Sequence, residues 1–256
     1  MPNTIVRNMM LVLLTMTSGC VDAISFLALG QVFTAAMTGN TVLFGLAVVH
    51  SGKLSVIGYA VALLGFIMGA AIASMLLRRY QKTTGWNSVV TISLCIEWVA
   101  LILFAVVINV SPEATLTVPR TALLIAFLSF AMGIQSVSAR RIGVTGVTTT
   151  VITSTLTGLV ESIVWKLESS LSAQSKSGNQ DKSVPVKPVN KTSIASIVMW
   201  ISVIVFYGIG AGICGAIEIR FQLQAIWLPI IIVMAVILTT SAARVFVMER
   251  KAGMSM

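Results

Sequence analysis

Apolar residues run through this chain in eight stretches, at approximately 9–31, 34–50, 54–77, 89–110, 121–139, 147–166, 193–217 and 223–243, with short polar segments between them. A helix needs roughly 20 residues to cross a hydrocarbon core about 30 Å thick. Most of the stretches reach that length, and 34–50 falls short of it. No ten-residue segments of alternating polarity recur, which excludes a membrane β-barrel. The pattern predicts an all-α integral membrane protein whose eight apolar helical segments make six to eight crossings, with helix breaks near the middle of each half.

Composition narrows the class. The chain of 256 residues is 57% hydrophobic and 10% charged, with a mean hydropathy of +0.97. A soluble domain carries about 25% charged residues, so a soluble enzyme and a nucleic-acid-binding domain are excluded. The net charge of +9 marks membrane topology instead, because the lysines and arginines fall between the apolar stretches. The segment 169–191 is polar, contains Pro and Gly, and reads as a cytoplasmic linker within a single membrane domain, 1–256. Asn190-Lys191-Thr192 in it matches a glycosylation acceptor by chance.

Charge also bears on the number of crossings. Eight spans with the N-terminus inside leave six positive residues outside: Arg78, Arg79, Lys82, Arg140, Arg141 and Arg220. Six net crossings, in which the first two stretches together cross once and the fifth and sixth likewise, leave Lys53, Arg120 and Arg220 outside, with Arg140 and Arg141 unassigned near a break. Charge bias favours six and segment length favours eight; both put the termini and the linker in the cytoplasm.

Three spacings indicate duplication. Gly19-Cys20-Val21-Asp22 is answered by Gly133-Ile134-Gln135-Ser136, and Thr38-Gly39-Asn40-Thr41 by Thr153-Ser154-Thr155-Leu156. Phe66-Ile67-Met68-Gly69-Ala70 is answered by Tyr207-Gly208-Ile209-Gly210-Ala211 at a longer spacing, as an inserted linker requires. The chain divides accordingly into a first repeat, 1–111, and a second, 112–256.

Few residues offer chemistry. Cys20, Cys95 and Cys214 lie in apolar stretches and form neither a disulfide framework nor a zinc knuckle. His50 reads as an interfacial loop residue, with a proton-linked role as the alternative. Met9 to Cys20 imitates a lipoprotein signal, but the chain stays apolar beyond it, so no cleavage is expected.

Asp22 stands inside the first apolar stretch, where an ionisable group costs at least about 2.5–3.5 kcal/mol and by default lines a polar cavity or pairs with a cation. The alternative is a structural hydrogen bond to a neighbouring backbone or a pairing with Arg140. Glu97, beside Trp98, reads as an interhelical contact, and Glu161 lies near an interface. The run from Phe33 through Thr38, Gly39, Asn40 and Thr41 has the small and hydrogen-bonding residues that a broken membrane helix needs. A helix restarting near Gly39 would turn its positive end inward and suit an anionic group; close helix packing is the plainer reading. The counterpart, 143–158, holds seven threonines, among them Thr149, Thr150, Thr153 and Thr155, just after Arg140 and Arg141. It reads as a polar pathway wall or as hydroxyls bonded to their own helix. The arginines read as an anion-holding fork or as ordinary charges at a helix end. The candidate pathway is therefore Asp22, Thr38, Gly39, Asn40, Thr41, Gln135, Arg140, Thr149, Thr150, Thr153 and Thr155.

The order Gly19-x-x-Asp22-Ala23, the run Phe26-Leu27-x-Leu29-Gly30-x-x-Phe33-Thr34-Ala35, Thr38-Gly39-Asn40 and the later Gly133-x-Gln135 with its Thr-rich segment resemble the YoaK-like family of uncharacterised bacterial inner-membrane proteins. The resemblance covers nearly the whole chain and implies a multi-pass inner-membrane protein, without a biochemical activity. Thr153-Ser154 departs from the Thr-Gly pair expected in the second repeat.

The sequence thus leads to a small secondary transporter or permease for a small polar or anionic solute, coupled to protons or cations, with a non-transporting assembly or regulatory partner as the alternative. No P-loop, HExxH pair or Ser–His arrangement is present, so neither ATP hydrolysis nor enzymatic catalysis is expected. Expected partners are lipid and the solute, with homo-oligomers compatible; no cofactor, metal or nucleic acid is expected.

Overall fold

A computed structural model describes residues 4–49, 55–78, 88–110, 117–142, 153, 155–161, 163–164 and 194–252. His50, Thr149, Thr150, the linker 169–191, Trp86 and Trp165 lie outside them. Within them the chain is helical and has no strand. Its helices are α1 (Thr4–Ala28), α2 (Met37–Val49), α3 (Val56–Arg78), α4 (Ser88–Val110), α5 (Val118–Arg141), α6 (Ile194–Phe221) and α7 (Trp227–Ala252). A 3₁₀ turn, Gln222–Ile226, joins the last two, and a further helical stretch covers 155–161.

Five segments are long and apolar enough to cross a membrane: Ile5–Ala28, Val56–Arg78, Ser88–Val110, Val118–Arg141 and the continuous Ile197–Ala242. The last is 46 residues long, about twice what one crossing needs, and the 3₁₀ turn divides it into α6 and α7. The marginal stretch 34–50 corresponds to α2, whose 13 residues reach only about 20 Å. Large apolar side chains such as Leu64, Ile67 and Met68 of α3 are exposed, as expected where lipid replaces water as the solvent.

Packing is closest in two pairs, α1 with α6 and α3 with α5. Both crossings are made by glycine. A Cβ added at Gly133 would collide with the Phe66 carbonyl oxygen and the Ala70 nitrogen; one added at Gly69 would collide with the Phe130 carbonyl. On the other pair, Gly19 faces the Tyr207 carbonyl and the Ala211 nitrogen, and Gly210 faces Met16. Without a hydrophobic drive between helices in lipid, such backbone proximity is what joins them.

The contacts fix helix direction. Gly65 meets Ala126 and Ser129, Gly69 meets Phe130 and Ile134, and the Arg141 guanidinium donates to the Leu77 carbonyl at 3.1 Å, so α3 and α5 are parallel. Gly19 beside Tyr207 and Gly215 beside Leu27 make α1 and α6 parallel as well. Ser93 pairs with Ser138 and Arg120 donates to the Val107 carbonyl, so α4 is antiparallel to α5. A cavity of about 220 Å³ is lined by Ala28, Gly30, Gly58, Val118, Thr121 and Ile125 among others. The end of α1 therefore lies at the same face as the starts of α3 and α5.

That placement makes α2 an excursion. Residues 34–36 contact Asp22, which lies six residues before the end of α1, about 9 Å back along the helix. The chain thus leaves α1, turns inward, and returns through α2. Only 50–54 separate α2 from the residue preceding α3, a tether of about 21 Å at full extension, so α2 ends at the face from which it started. α2 thus starts and ends nearer the face where α1 ends, which is the arrangement that six crossings would require.

Glycine replacement should separate contact from mere composition. Gly133→Ala and Gly19→Ala should each lower stability by about 1–3 kcal/mol, the range for overpacking, because the atoms in the way are backbone. Gly208→Ala and Gly212→Ala, where nothing lies within 4 Å of the new methyl, should leave it unchanged or higher. Thermal melts in detergent report the contrast; equal midpoints for the two sets would refute the crossings.

Candidate functional site

The break after α1 starts with a helix stop. Gly30 has φ +86° and Gln31 φ +63°, and the Gln31 N–H donates to the Phe26 carbonyl at 3.1 Å. This is the six-to-one bond of a Schellman motif, with glycine at the left-handed position. Phe26 and Phe33 stack across the turn, centroids 4.9 Å apart. The following residues cannot take hydrogen bonds from water at this depth, so the protein must supply every partner.

Two side chains do so. Asp22 Oδ1 accepts from the N–H groups of Thr34 and Ala35, each at 2.7 Å, and Oδ2 accepts from Ala36 at 3.1 Å. Asn40 Oδ1 accepts from the Phe33 N–H at 2.9 Å, and its Nδ2 donates to the Phe33 carbonyl. A fourth donor reaches Asp22 from α6, where the Tyr207 hydroxyl lies 2.5 Å from Oδ2. Ser25 and Thr34 pair their hydroxyls at 3.4 Å. Asp22 is 3% exposed and Asn40 fully buried.

The anion at the positive end of α2 is therefore Asp22 itself. The break lies where the sequence puts it, with α2 starting at Met37 rather than Gly39, but its open N–H groups are taken by the chain's own carboxylate. Of the two readings of Asp22, these contacts supply the structural one: a bond to neighbouring backbone. Its pairing with Arg140 does not occur.

The remaining candidates divide. Gln135 is buried and donates from Nε2 to the Leu14 carbonyl and the Ser18 hydroxyl, both at 2.7 Å. Gly39 rests against the Phe33 ring. Thr38 and Thr41 face outward on α2, and the Thr41 hydroxyl donates to the Met37 carbonyl; starting the helix at Met37 turns Asn40 and Ala47 inward and those two threonines away. Thr153 is exposed and accepts, at its carbonyl, from Thr157, whereas Thr155 is fully buried. Arg140 is exposed. Its neighbour Arg141 instead turns onto α3 and, with Ser74 and Arg78, lines a cavity of about 160 Å³.

The buried polar side chains form a line. Ser138 of α5 bonds Ser93 of α4 at 2.8 Å; Gln135 stands one turn before Ser138 and bonds Ser18 of α1; Asp22 stands one turn after Ser18. Sequence reasoning placed Asp22 and Gln135 in a pathway and missed Ser18, Ser93, Ser138 and Tyr207. Tyr207 was visible only as a partner in the repeat, and nothing local announces a contact with a residue 185 positions away.

The model for a protein of unknown function family (DUF1275) matches residues 10–239. The chain belongs to this family. It is also 36% identical to the UPF0700 transmembrane protein YoaK of Bacillus subtilis (strain 168) over 233 residues, 91% of this chain and 93% of the relative. No solved structure matches. The transmembrane relative and the five membrane-capable segments are consistent with a multi-pass membrane protein, and the region matched by the family contains both glycine crossings and the Asp22 site.

Removing the clasp should be costly in a defined order. Tyr207→Phe deletes one hydrogen bond to a carboxylate and should lower stability by about 1.5–3 kcal/mol. Asp22→Ala strands three buried N–H groups at about 1–3 kcal/mol each, so it should be the worse of the two. Unfolding of the purified variants in detergent gives the order, and a milder Asp22→Ala would contradict the geometry.

Proposed function

We propose that the protein is a small secondary transporter built from two inverted copies of one unit, moving a small polar or anionic solute along the polar line between them. The observation that carries this reading is the re-entrant backbone at 29–36. Irregular backbone at membrane depth is tolerated only where protein buries it or a cavity is lined by it, and broken helices at the interface of inverted repeats are where transporters bind.

The repeat gains support from the crossings. Gly19 packs on Tyr207 and Ala211, and Gly133 packs on Phe66 and Ala70; these are the residues that the two sequence spacings pair. Because α1 ends at the face where α5 begins, the copies have opposite directions. The first would comprise α1 to α4, the second α5 to α7, with the Thr-rich segment as the sequence counterpart of 38–41. The cavity at the α1 end and the arginine-lined cavity at the other end of α3 and α5 suit entrances on the two faces. Arg78 and Arg141 fit an anionic group.

One observation favours the alternative of a non-transporting partner. All four polar contacts of Asp22 are internal, as in a residue that only joins helices. Charge displacement by proteoliposomes on a solid-supported membrane distinguishes the two, using a panel of small organic anions and polar metabolites. A saturable signal that is lost in Asp22→Asn, with the variant still folded, supports transport; a silent panel with folded protein favours the partner role.

The topology has its own test. Six crossings put fourteen of the seventeen lysines and arginines on the face of the two termini and leave Lys53, Arg120 and Arg220 opposite, so the termini should be cytoplasmic. An impermeant maleimide applied to intact cells should label Lys53→Cys and spare Lys82→Cys and Gly178→Cys. Protection of all three would rule out the inverted arrangement.

A further inference from the structure

Asp22, Glu97 and Glu218 are buried carboxylates of the bundle, and the most deeply buried, Glu97, differs from Asp22 in its partners. Glu97 lies midway along α4, 0% exposed, and among the described residues neither Oε1 nor Oε2 has a hydrogen-bond partner. It stands one turn from Ser93 on the same face of the helix, and Ser93 joins the polar line through Ser138. Among the described residues it is packed inside the bundle without a hydrogen bond to another helix.

The charges that could neutralise it are elsewhere. Its own helix offers only Cys95 besides. Of the helices packed against α4, α3 has Tyr59 near its start and Arg78 at its end, and α5 has Arg120, Arg140 and Arg141 at its ends. Arg120 and Arg141 already donate to carbonyls at those ends. The 3₁₀ turn and residues 227–242 of α7 contain no titratable group. No group of three or more metal-ligating side chains exists among the described residues, which argues against a divalent metal ion. A bare ionised carboxylate in this setting is expensive, and intramembrane carboxylates of this kind mark ion and proton pathways.

We propose that Glu97 is a monovalent-cation site, taking up a proton or an alkali-metal ion, and that it is the residue through which such an ion is coupled to transport. The chemistry follows from the empty lone pairs: two oxygens with no donor accept one small cation and no anion. Ser93, Ser138, Gln135 and Ser18, every one buried, lie between Glu97 and Asp22 and are joined in two hydrogen-bonded pairs, Ser93 with Ser138 and Gln135 with Ser18, so the two carboxylates border one buried polar band. Asp22, with four donors, is ill placed to take the cation itself. The coupling role rests on the transport reading; occupancy of Glu97 by a monovalent cation does not.

The test uses the full chain in lipid nanodiscs and dicyclohexylcarbodiimide, which adds to protonated carboxyl groups in apolar surroundings. Peptide mass spectrometry of the unaltered protein should find the adduct on Glu97. It should disappear as pH rises if the ion is a proton alone, and be suppressed by sodium or potassium chloride at fixed pH, relative to choline chloride, if an alkali cation competes. Glu97→Gln should lose the adduct and keep its elution profile. An adduct on Asp22 with Glu97 unmodified, no adduct at any pH, or a Glu97 adduct indifferent to both pH and salt would each overturn the proposal. Peptide assignment in the unaltered protein decides the matter even if the variant fails to fold. No solute is required, so this result and the proteoliposome result can fail independently.

Discussion

The structure depends on the need to satisfy four consecutive peptide N–H groups where water cannot reach them. Residues 33–36 leave helical geometry about 9 Å inside the end of α1, and each of their N–H groups finds an acceptor on Asp22 or Asn40. Everything local follows from that. Gly30 turns the chain, Asn40 pairs with both sides of the Phe33 peptide, and α2 starts with its positive end against a carboxylate, the arrangement its dipole favours. The cost of burying Asp22 in a membrane is offset by what it bonds, which is why an ionisable residue stands in an otherwise apolar helix.

Helix association is the second constraint, and glycine meets it. Gly19 and Gly210 on one pair, and Gly69 and Gly133 on the other, bring backbones close enough that a single methyl would collide. In lipid the gain is van der Waals contact, which requires this closeness over the crossing. Closeness also sets the chemistry: with α6 drawn against α1 at Gly19 and Gly210, the Tyr207 hydroxyl reaches Asp22 and the Cys20 thiol reaches the Gly210 carbonyl. The packing motif and the polar site are one piece of geometry.

How much of this the sequence disclosed depends on the range of the signal. The long spans, the short second segment and the break near residue 34 were legible, because apolar length and runs of small and hydrogen-bonding residues are local properties. Asp22 stood out because a charge in a membrane helix is conspicuous wherever it is. Its partners did not, since Thr34, Ala35 and Ala36 act through backbone groups that carry no side-chain signature. Length alone left six and eight crossings open; α2 is too short and returns to its own face, a matter of tertiary direction. Arg140 and Arg141 were indistinguishable as a pair, and one residue of helical rotation sends the first outward and the second to Leu77. Thr41, alike in composition to its neighbours, lies on the outer face once the helix starts at Met37.

The clasp also says what any ligand of Asp22 must displace. Three of its four donors are peptide groups of the chain segment that the carboxylate itself holds in place, and they leave only if residues 34–36, ahead of α2, are displaced. The fourth, Tyr207, belongs to a different helix and shares Oδ2 with Ala36, the longer of the backbone bonds at 3.1 Å. Sliding or rotating α6 against α1 is therefore the movement that relieves Oδ2 of one of its two donors without dismantling the break. At the matching positions of the other crossing stand Ser136 and Phe66, which provide neither carboxylate nor phenol. The two glycine crossings share backbone geometry; α3 and α5 are bonded from Arg141 to the Leu77 carbonyl at their ends, while the carboxylate–phenol bond between Asp22 and Tyr207 belongs to α1 and α6. In the transport reading, that bond is the difference between two otherwise similar joints, and the helix pair that carries it is the one whose movement would change the site.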